Sequence, residues 1–193
     1  LLIWPWSHVK LEKIHDVIEK STLLYTAQEV EKAIDKMALE IEEKLTDSNL
    51  LCITVMIGGL IPTGALLRRL HFPMEMDYVH ATRYTGKTRG SELKWLVKPQ
   101  KSLEGRTILI VDDILDGGIT LAGIVDYCKE QGAEKIYTAV LIDKQRERPE
   151  GAVQKADFAA LEVENKFIYG YGMDYNEYLR NTPGIYSVAK EHE

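Results

Sequence analysis

The sequence predicts an α/β protein: a parallel, twisted sheet with helices on both faces, plus a small antiparallel hood. Three observations carry this. Short apolar runs at 50–57, 107–112 and 135–142 alternate with helical stretches, the pattern of strands covered on both sides. Two of those runs end in glycine-bearing turns that open a helix. After residue 143 the pattern changes to a charged loop and then the short segments "FAALEV", "FIYGY" and "IYSV", which read as the hood.

In chain order, residues 1–10 are read as a docking arm or an appended remnant. "LLIWPW" is too short for a signal segment and lacks a basic start and a cleavage site. In "TAQEVEKAIDKMALEIEEKL", Thr26 followed by Glu29 is a capping-box pattern. Val30, Ile34, Met37, Ile41 and Leu45 then recur at helical spacing, so a helix is expected over 26–45. "TDSN" ends it, "LLCITVMI" is a buried strand, and the turn "GGLIPTG" (58–64) leads to a helix in "ALLRRLHF". "MEMDYVHA" and "ELKWLV" alternate as strands, and the polar 82–91 between them is long enough for a lid. Strand 107–112, helix 120–130, the turn "QGAE" and strand 135–142 complete a core of about 20–143. The hood then spans about 144–193, with room for an N-terminal contribution, and the whole of 1–193 reads as a single domain.

Composition bounds the function. The 193 residues are 45% hydrophobic and 28% charged, an ordinary globular balance. A net charge of −6 argues against nucleic-acid or membrane-surface partners, while leaving room for a local anion site. No apolar run nears the ~20 residues that span a bilayer. Cys52 and Cys128 lie far apart in apolar segments and read as buried, reduced thiols, which makes the cytoplasm the expected location.

The chemistry concentrates in "ILIVDDILDGGIT", 108–120. In open parallel sheets, ligands bind beyond the carboxyl ends of the strands, where Asp112 and Asp113 sit. Gly117, Gly118, Ile119 and Thr120 offer amides and a hydroxyl at a helix start, which favours phosphate. Carboxylates beside a phosphate cradle repel it unless they bind something else on the same ligand. A sugar diol and Mg²⁺ both fit. The turn at Gly58 and Gly59 could hold a second anion, although a tight glycine turn needs no ligand, so spacing alone leaves it open. "ATRYTGKT" only approaches a Walker motif, and the sequence contains no G-x-G-x-x-G, HExxH or G-x-S-x-G.

These residues carry a resemblance. "ILIVDDILDGGIT" is similar to the phosphoribosyl pyrophosphate motif of type I phosphoribosyltransferases, and "LIDK" with "DFAALEVENKFIYGYGMDYNEYLR" resembles the hood of the hypoxanthine-guanine phosphoribosyltransferases. The order of landmarks matches over roughly 20–188. The resemblance implies the type I phosphoribosyltransferase fold and the reaction of a 6-oxopurine with phosphoribosyl pyrophosphate, with Mg²⁺, in purine salvage. It also implies a homodimer or homotetramer.

By the same resemblance, Asp112 and Asp113 hold the ribose hydroxyls directly or through metal, and Asp116 is the acid or base at N7. Gly117, Gly118, Ile119 and Thr120 take the 5′-phosphate; Lys144 donates to O6, Phe167 stacks, and Ile168 meets the base through its backbone. Asp174 helps Asp112 and Asp113 hold metal, Arg180 neutralises pyrophosphate, Gly58 and Gly59 form the pyrophosphate loop, and Tyr84 rides on the lid. Three positions depart from the commonest pattern: Ile57 where lysine is frequent, Arg83 before Tyr84 where serine is usual, and Gly117 where a hydroxyl residue is common. Alternatives are a nucleotide-binding regulatory protein on the same fold, or a xanthine-preferring transferase.

Overall fold

The computed structural model describes residues 11–83 and 93–193. Helix α1 (Leu11–Lys20) leads into strand β1 (Thr22–Tyr25) and helix α2 (Ala27–Leu45). Strand β2 (Leu50–Val55), helix α3 (Leu60–Leu67), and strands β3 (Glu75–Arg83) and β4 (Leu93–Val97) follow. Then come β5 (Thr107–Leu115), α4 (Ile119–Glu130), β6 (Lys135–Gln145), β7 (Phe158–Glu164), β8 (Ile168–Tyr169) and β9 (Ile185–Ser187). Tyr84 and most of the expected lid lie outside the described residues, as do residues 1–10.

The main sheet has the order β4-β3-β2-β5-β6-β7 and is parallel except for the β3–β4 pair at its edge. Helices cover both faces, as expected. Strand residues alternate between two cores because successive side chains leave opposite faces. Leu109 and Val111 join α2 and α3 through Ile34, Ile41 and Leu66, whereas Ile108 and Ile110 meet Leu121, Ile124 and Cys128 of α4. Each fully buried Ile or Leu contributes roughly 1.5–3 kcal/mol of transfer free energy, which holds the helices on the sheet.

The tail corrects one expectation. "FAALEV" is not antiparallel hood. As β7 it pairs in parallel with β6, Ala139 opposite Phe158 and Lys144 opposite Val163. The main sheet therefore runs past residue 143, because Phe158 and Val163 have the α2 core to bury against. The hood is a three-stranded antiparallel sheet, β1-β9-β8, so the N-terminal segment does supply a strand. Its own core joins Ile14 and Val17 of α1 to Tyr169, Tyr175 and Val188. Helix α3 also starts five residues before the expected "ALLRRLHF", inside the glycine-rich turn.

Two tyrosine hydroxyls are among the side-chain links that tie hood to core. Tyr25 Oη donates to the Glu162 carbonyl at 2.8 Å, and Tyr171 Oη donates to Glu31 on α2. The α2 start is fixed locally by its capping box: the Glu29 amide donates to Thr26 Oγ1 at 3.3 Å, and the Thr26 amide to Glu29 Oε2 at 2.8 Å. Thr26→Ala removes one half of that exchange. It is expected to lower unfolding free energy by about 1 kcal/mol, read as a shift in the urea midpoint at constant slope.

Candidate functional site

A cleft of about 1230 Å³ opens beyond the carboxyl ends of β2 and β5, between the main sheet and the hood. Its walls bring together Gly58, Asp112, Asp113, Asp116, Gly117, Gly118, Ile119, Thr120, Phe167, Asp174 and Arg180, eleven of the expected site residues. The strand ends explain the convergence. β5 runs past the expected end at 112 to Leu115, so Asp112 and Asp113 sit in the last residues of the paired strand, and α4 begins four residues after Leu115.

The turn before α4 is shaped by one glycine. Gly118 is left-handed (φ 72°), and a Cβ there would lie 2.5 Å from the Val153 carbonyl. That carbonyl's neighbour, the Val153 amide, donates back to Gly118 O at 3.2 Å, so the turn is braced by the 146–157 loop. The first-turn amides of α4 have no helix carbonyl to donate to. Residues 117–121, at this helix start, line the cleft and make it suited to an anion.

The Gly58–Gly59 loop is clamped from two sides. A Cβ on Gly58 would come within 2.0 Å of Asp113 Oδ2, and one on Gly172 of the hood within 2.3 Å of the Gly58 carbonyl. Only glycines let carboxylate, loop and hood approach so closely. Gly59 is buried and donates its amide to Val55 O at 2.9 Å; it shapes the loop rather than facing the cleft. The Met56–Ile57 peptide is cis.

Charge in the cleft is dominated by acids. Burial, reinforced by the charge of Asp113, pushes the Asp112 carboxyl well above the usual carboxylate range; burial also raises Asp113. Arg180 is the counterweight. Its Nη1 lies 4.0 Å from Asp113 Oδ2 and donates to Gly172 O at 2.8 Å, while Nη2 pairs with Asp174 Oδ1 at 2.7 Å. Asp112, Asp113 and Asp174 thus surround one cleft without forming a ready cage. Among the described residues, the metal-like cluster is instead Asp16, Glu191 and His192, outside the cleft. Hard carboxylate oxygens spread this way suit Mg²⁺, which keeps its waters and binds through one or two carboxylates plus ligand phosphates.

Asp116 is held by two cations. Lys144 Nζ lies 3.2 Å from Oδ2, and Arg146 Nη1 is 2.8 Å from Oδ1. Burial raises its carboxyl, but the Arg146 and Lys144 interactions outweigh that and hold it below the usual range. Lys144 is only 7% exposed and reaches the cleft wall through Asp116 rather than lining it. Phe167 is 43% exposed at the cleft and meets Tyr175 edge-on at 5.8 Å. Ile168 is buried on β8, an edge strand of the hood whose outer backbone side has no strand partner among the described residues.

The sequence reading missed Arg146 and Arg148, whose "RER" looks like a solvated charge run, and His80, which lines the cleft from β3. Strand alternation sets His80 in phase with the exposed Met76 and Tyr78 rather than with the buried Val79 and Ala81, and nothing local distinguishes the arginines.

The chain matches the phosphoribosyl transferase domain family over residues 21–176. It is 36% identical over 172 residues to the hypoxanthine-guanine phosphoribosyltransferase of Bacillus subtilis, covering 89% of this chain and 93% of that protein. The Streptococcus pyogenes protein of the same name is 34% identical over 172 residues, covering 88% and 93%. A hypoxanthine phosphoribosyltransferase from Trypanosoma cruzi, solved in a ternary substrates complex, superposes with a TM-score of 0.84 at 27% identity, covering 90% and 98%.

The raised acids generate a stability test. A carboxyl raised on folding binds its proton more readily in the folded chain, so its charge opposes folding increasingly as pH climbs above the unfolded value near 4. Asp112→Asn is expected to melt a few degrees higher than wild type at pH 7 without ligand, with the gain vanishing as pH falls to about 4. Calorimetry across that range checks it.

Proposed function

The chain belongs to the phosphoribosyltransferase family, and from that premise we propose that it transfers 5-phosphoribosyl from phosphoribosyl pyrophosphate to hypoxanthine or guanine. The products are the nucleoside 5′-monophosphate and pyrophosphate, in purine salvage, with the whole chain acting as one transferase domain. The observation that carries the base assignment is the pair of buried Lys144 and cleft-facing Asp116 at 3.2 Å, with Phe167 and the α4 cradle on the same cleft. A 6-oxopurine presents a donor at N7–H beside an acceptor at O6. That edge can replace the ion pair by two hydrogen bonds, N7–H to Asp116 and Lys144 to O6. Adenine offers its amino donor to the ammonium and leaves a buried charge unpaired, a mismatch of several kcal/mol.

In the proposed reaction the C1–O bond to pyrophosphate breaks and C1 bonds to N9, while the N7 proton passes to Asp116. Its lowered carboxyl suits the acceptor state in that direction. The amides of Gly117, Gly118 and Ile119 and the Thr120 hydroxyl hold the 5′-phosphate, and Asp112 and Asp113 take the ribose hydroxyls. Phe167 stacks on the base, and the Ile168 backbone meets its other edge. Gly58 offers backbone to pyrophosphate while Gly59 shapes the loop behind it, Arg180 offsets its charge, and Tyr84 is carried over as the lid residue. Asp112, Asp113 and Asp174 would hold Mg²⁺ together with the ligand, and the ion would supply charge neutralisation of the leaving group.

Assembly as a homodimer or homotetramer belongs to the same proposal, supported by Met76, Tyr78 and Leu96 exposed on β3 and β4. So does a cytoplasmic location. Burial pushes the Cys52 and Cys128 thiols up to about 12 and about 11, which suits unpaired thiols in a reducing compartment.

Two measurements test the reading. Product formation from hypoxanthine and phosphoribosyl pyrophosphate is expected to require a divalent cation and to stop in excess chelator; undiminished turnover there would remove the metal from the proposal. Assays of hypoxanthine, guanine and adenine are expected to show adenine turnover lower by ~10⁴-fold in wild type. Lys144→Ala should lose most activity with the oxopurines, and Asp116→Asn should slow single-turnover transfer by ~10²–10⁴. Adenine matching hypoxanthine in wild type would overturn the base assignment.

A further inference from the structure

Asp116 and Lys144 leave neighbouring strands at the point where the ladder stops. The last paired residues of β5 and β6 are Leu115 and Asp143, so backbone pairing between these strands does not hold the next residue of each. One side chain from the following loop spans the gap. Arg148 Nε donates to the Asp116 carbonyl at 2.8 Å, and Nη2 reaches the Leu115 carbonyl at 2.7 Å, the Lys144 carbonyl at 2.7 Å and Asp143 Oδ1 at 2.6 Å. Its Nη1 donates to the Gln154 carbonyl at 2.7 Å. The side chain is 6% exposed, and its charge is matched by Asp143 at 9%.

The way it grips matters. Arg148 takes Asp116 and Lys144 by their backbone carbonyls and is neutralised by a third residue. The Asp116 carboxylate and the Lys144 ammonium therefore stay available to each other and to a ligand. A planar guanidinium with donors fixed in a fork sets distances in a way that a flexible ammonium cannot.

We propose that Arg148 is the positioning residue for base recognition, holding Asp116 and Lys144 at the separation from which they meet the N7 and O6 edge. This rests on the base assignment above. Arg148 touches neither substrate. It acts by bridging β5 and β6 where the ladder between them has ended, while β7 still pairs with Lys144 on its other side, and displacing a recognising pair by about 1 Å can lower rates by about 10²-fold.

The test compares wild type, Arg148→Lys and Arg148→Met by the ratio of kcat/KM for hypoxanthine to that for adenine, at saturating phosphoribosyl pyrophosphate and Mg²⁺. That ratio cancels differences in active fraction and in affinity for the shared substrate. Arg148→Met is expected to lower it by about 100-fold, almost all through hypoxanthine. Arg148→Lys, which keeps the charge but not the fork, should fall between. A ratio unchanged in both variants, whatever the loss of overall activity, would overturn the proposal and make Arg148 a merely structural residue. Failure of both variants to fold, seen as loss of a cooperative melt, would assign Arg148 to the fold as a whole and overturn it equally. Wild type treating adenine like hypoxanthine would instead show that the base assignment itself is wrong, before any variant is compared.

Discussion

Two adjacent carboxylates near the end of a strand, with burial raising both, are the constraint around which the rest of this cleft is arranged. Desolvating charge beside like charge is costly, and it persists only when something nearby compensates. Arg180 provides part of that compensation, reaching Asp113 from the core and Asp174 from the hood. One guanidinium thus links the two parts of the molecule across the site. The remaining imbalance points outward, toward a ligand rich in hydroxyls or carrying a cation.

The same crowding explains the glycines. Asp113 leaves no room for a Cβ at Gly58, and the Gly58 carbonyl leaves none at Gly172. Loop, carboxylate and hood therefore form one packed unit, and a side chain inserted at either glycine would have to move backbone or a charged group. Across the cleft, Gly118 serves the α4 cradle similarly by admitting the Val153 carbonyl. The candidate anion turns and the acids are held in place by close packing, which is what a site needs if it is to orient a flexible sugar phosphate.

Opposite the acids, Asp116 carries a charge balance of the other sign. Lys144 and Arg146 hold it ionised, and Arg148 fixes its backbone through a separate pairing with Asp143. The division of labour is physical. A cation that neutralised Asp116 and also positioned it would have to be broken to admit a base, whereas a grip on carbonyls survives the exchange. In the proposed transfer, recognition and positioning thus reside in different residues.

The α/β class, the α2 helix with its capping box, the central parallel strands and the "ILIVDDILDGGIT" turn were legible because each is local: periodicity, a cap pattern, or a strand-to-helix junction within a dozen residues. Most candidate site residues were legible for the same reason, as ends of such elements. Three things were not. The placement of β7 in the main sheet required knowing that Phe158 and Val163 face the α2 core, since "FAALEV" alternates alike in either sheet. The start of α3 lies inside "GGLIPTG", where Gly172 and Asp113 close over Gly58, contacts far away in sequence. Arg148 looked like one more loop charge, because its carbonyl partners on β5 have no side-chain signature and lie up to 33 residues away. Local chemistry determined the elements and the acids at their ends. Only the tertiary structure decided what holds those ends in register, because that work is done by backbone groups every residue possesses.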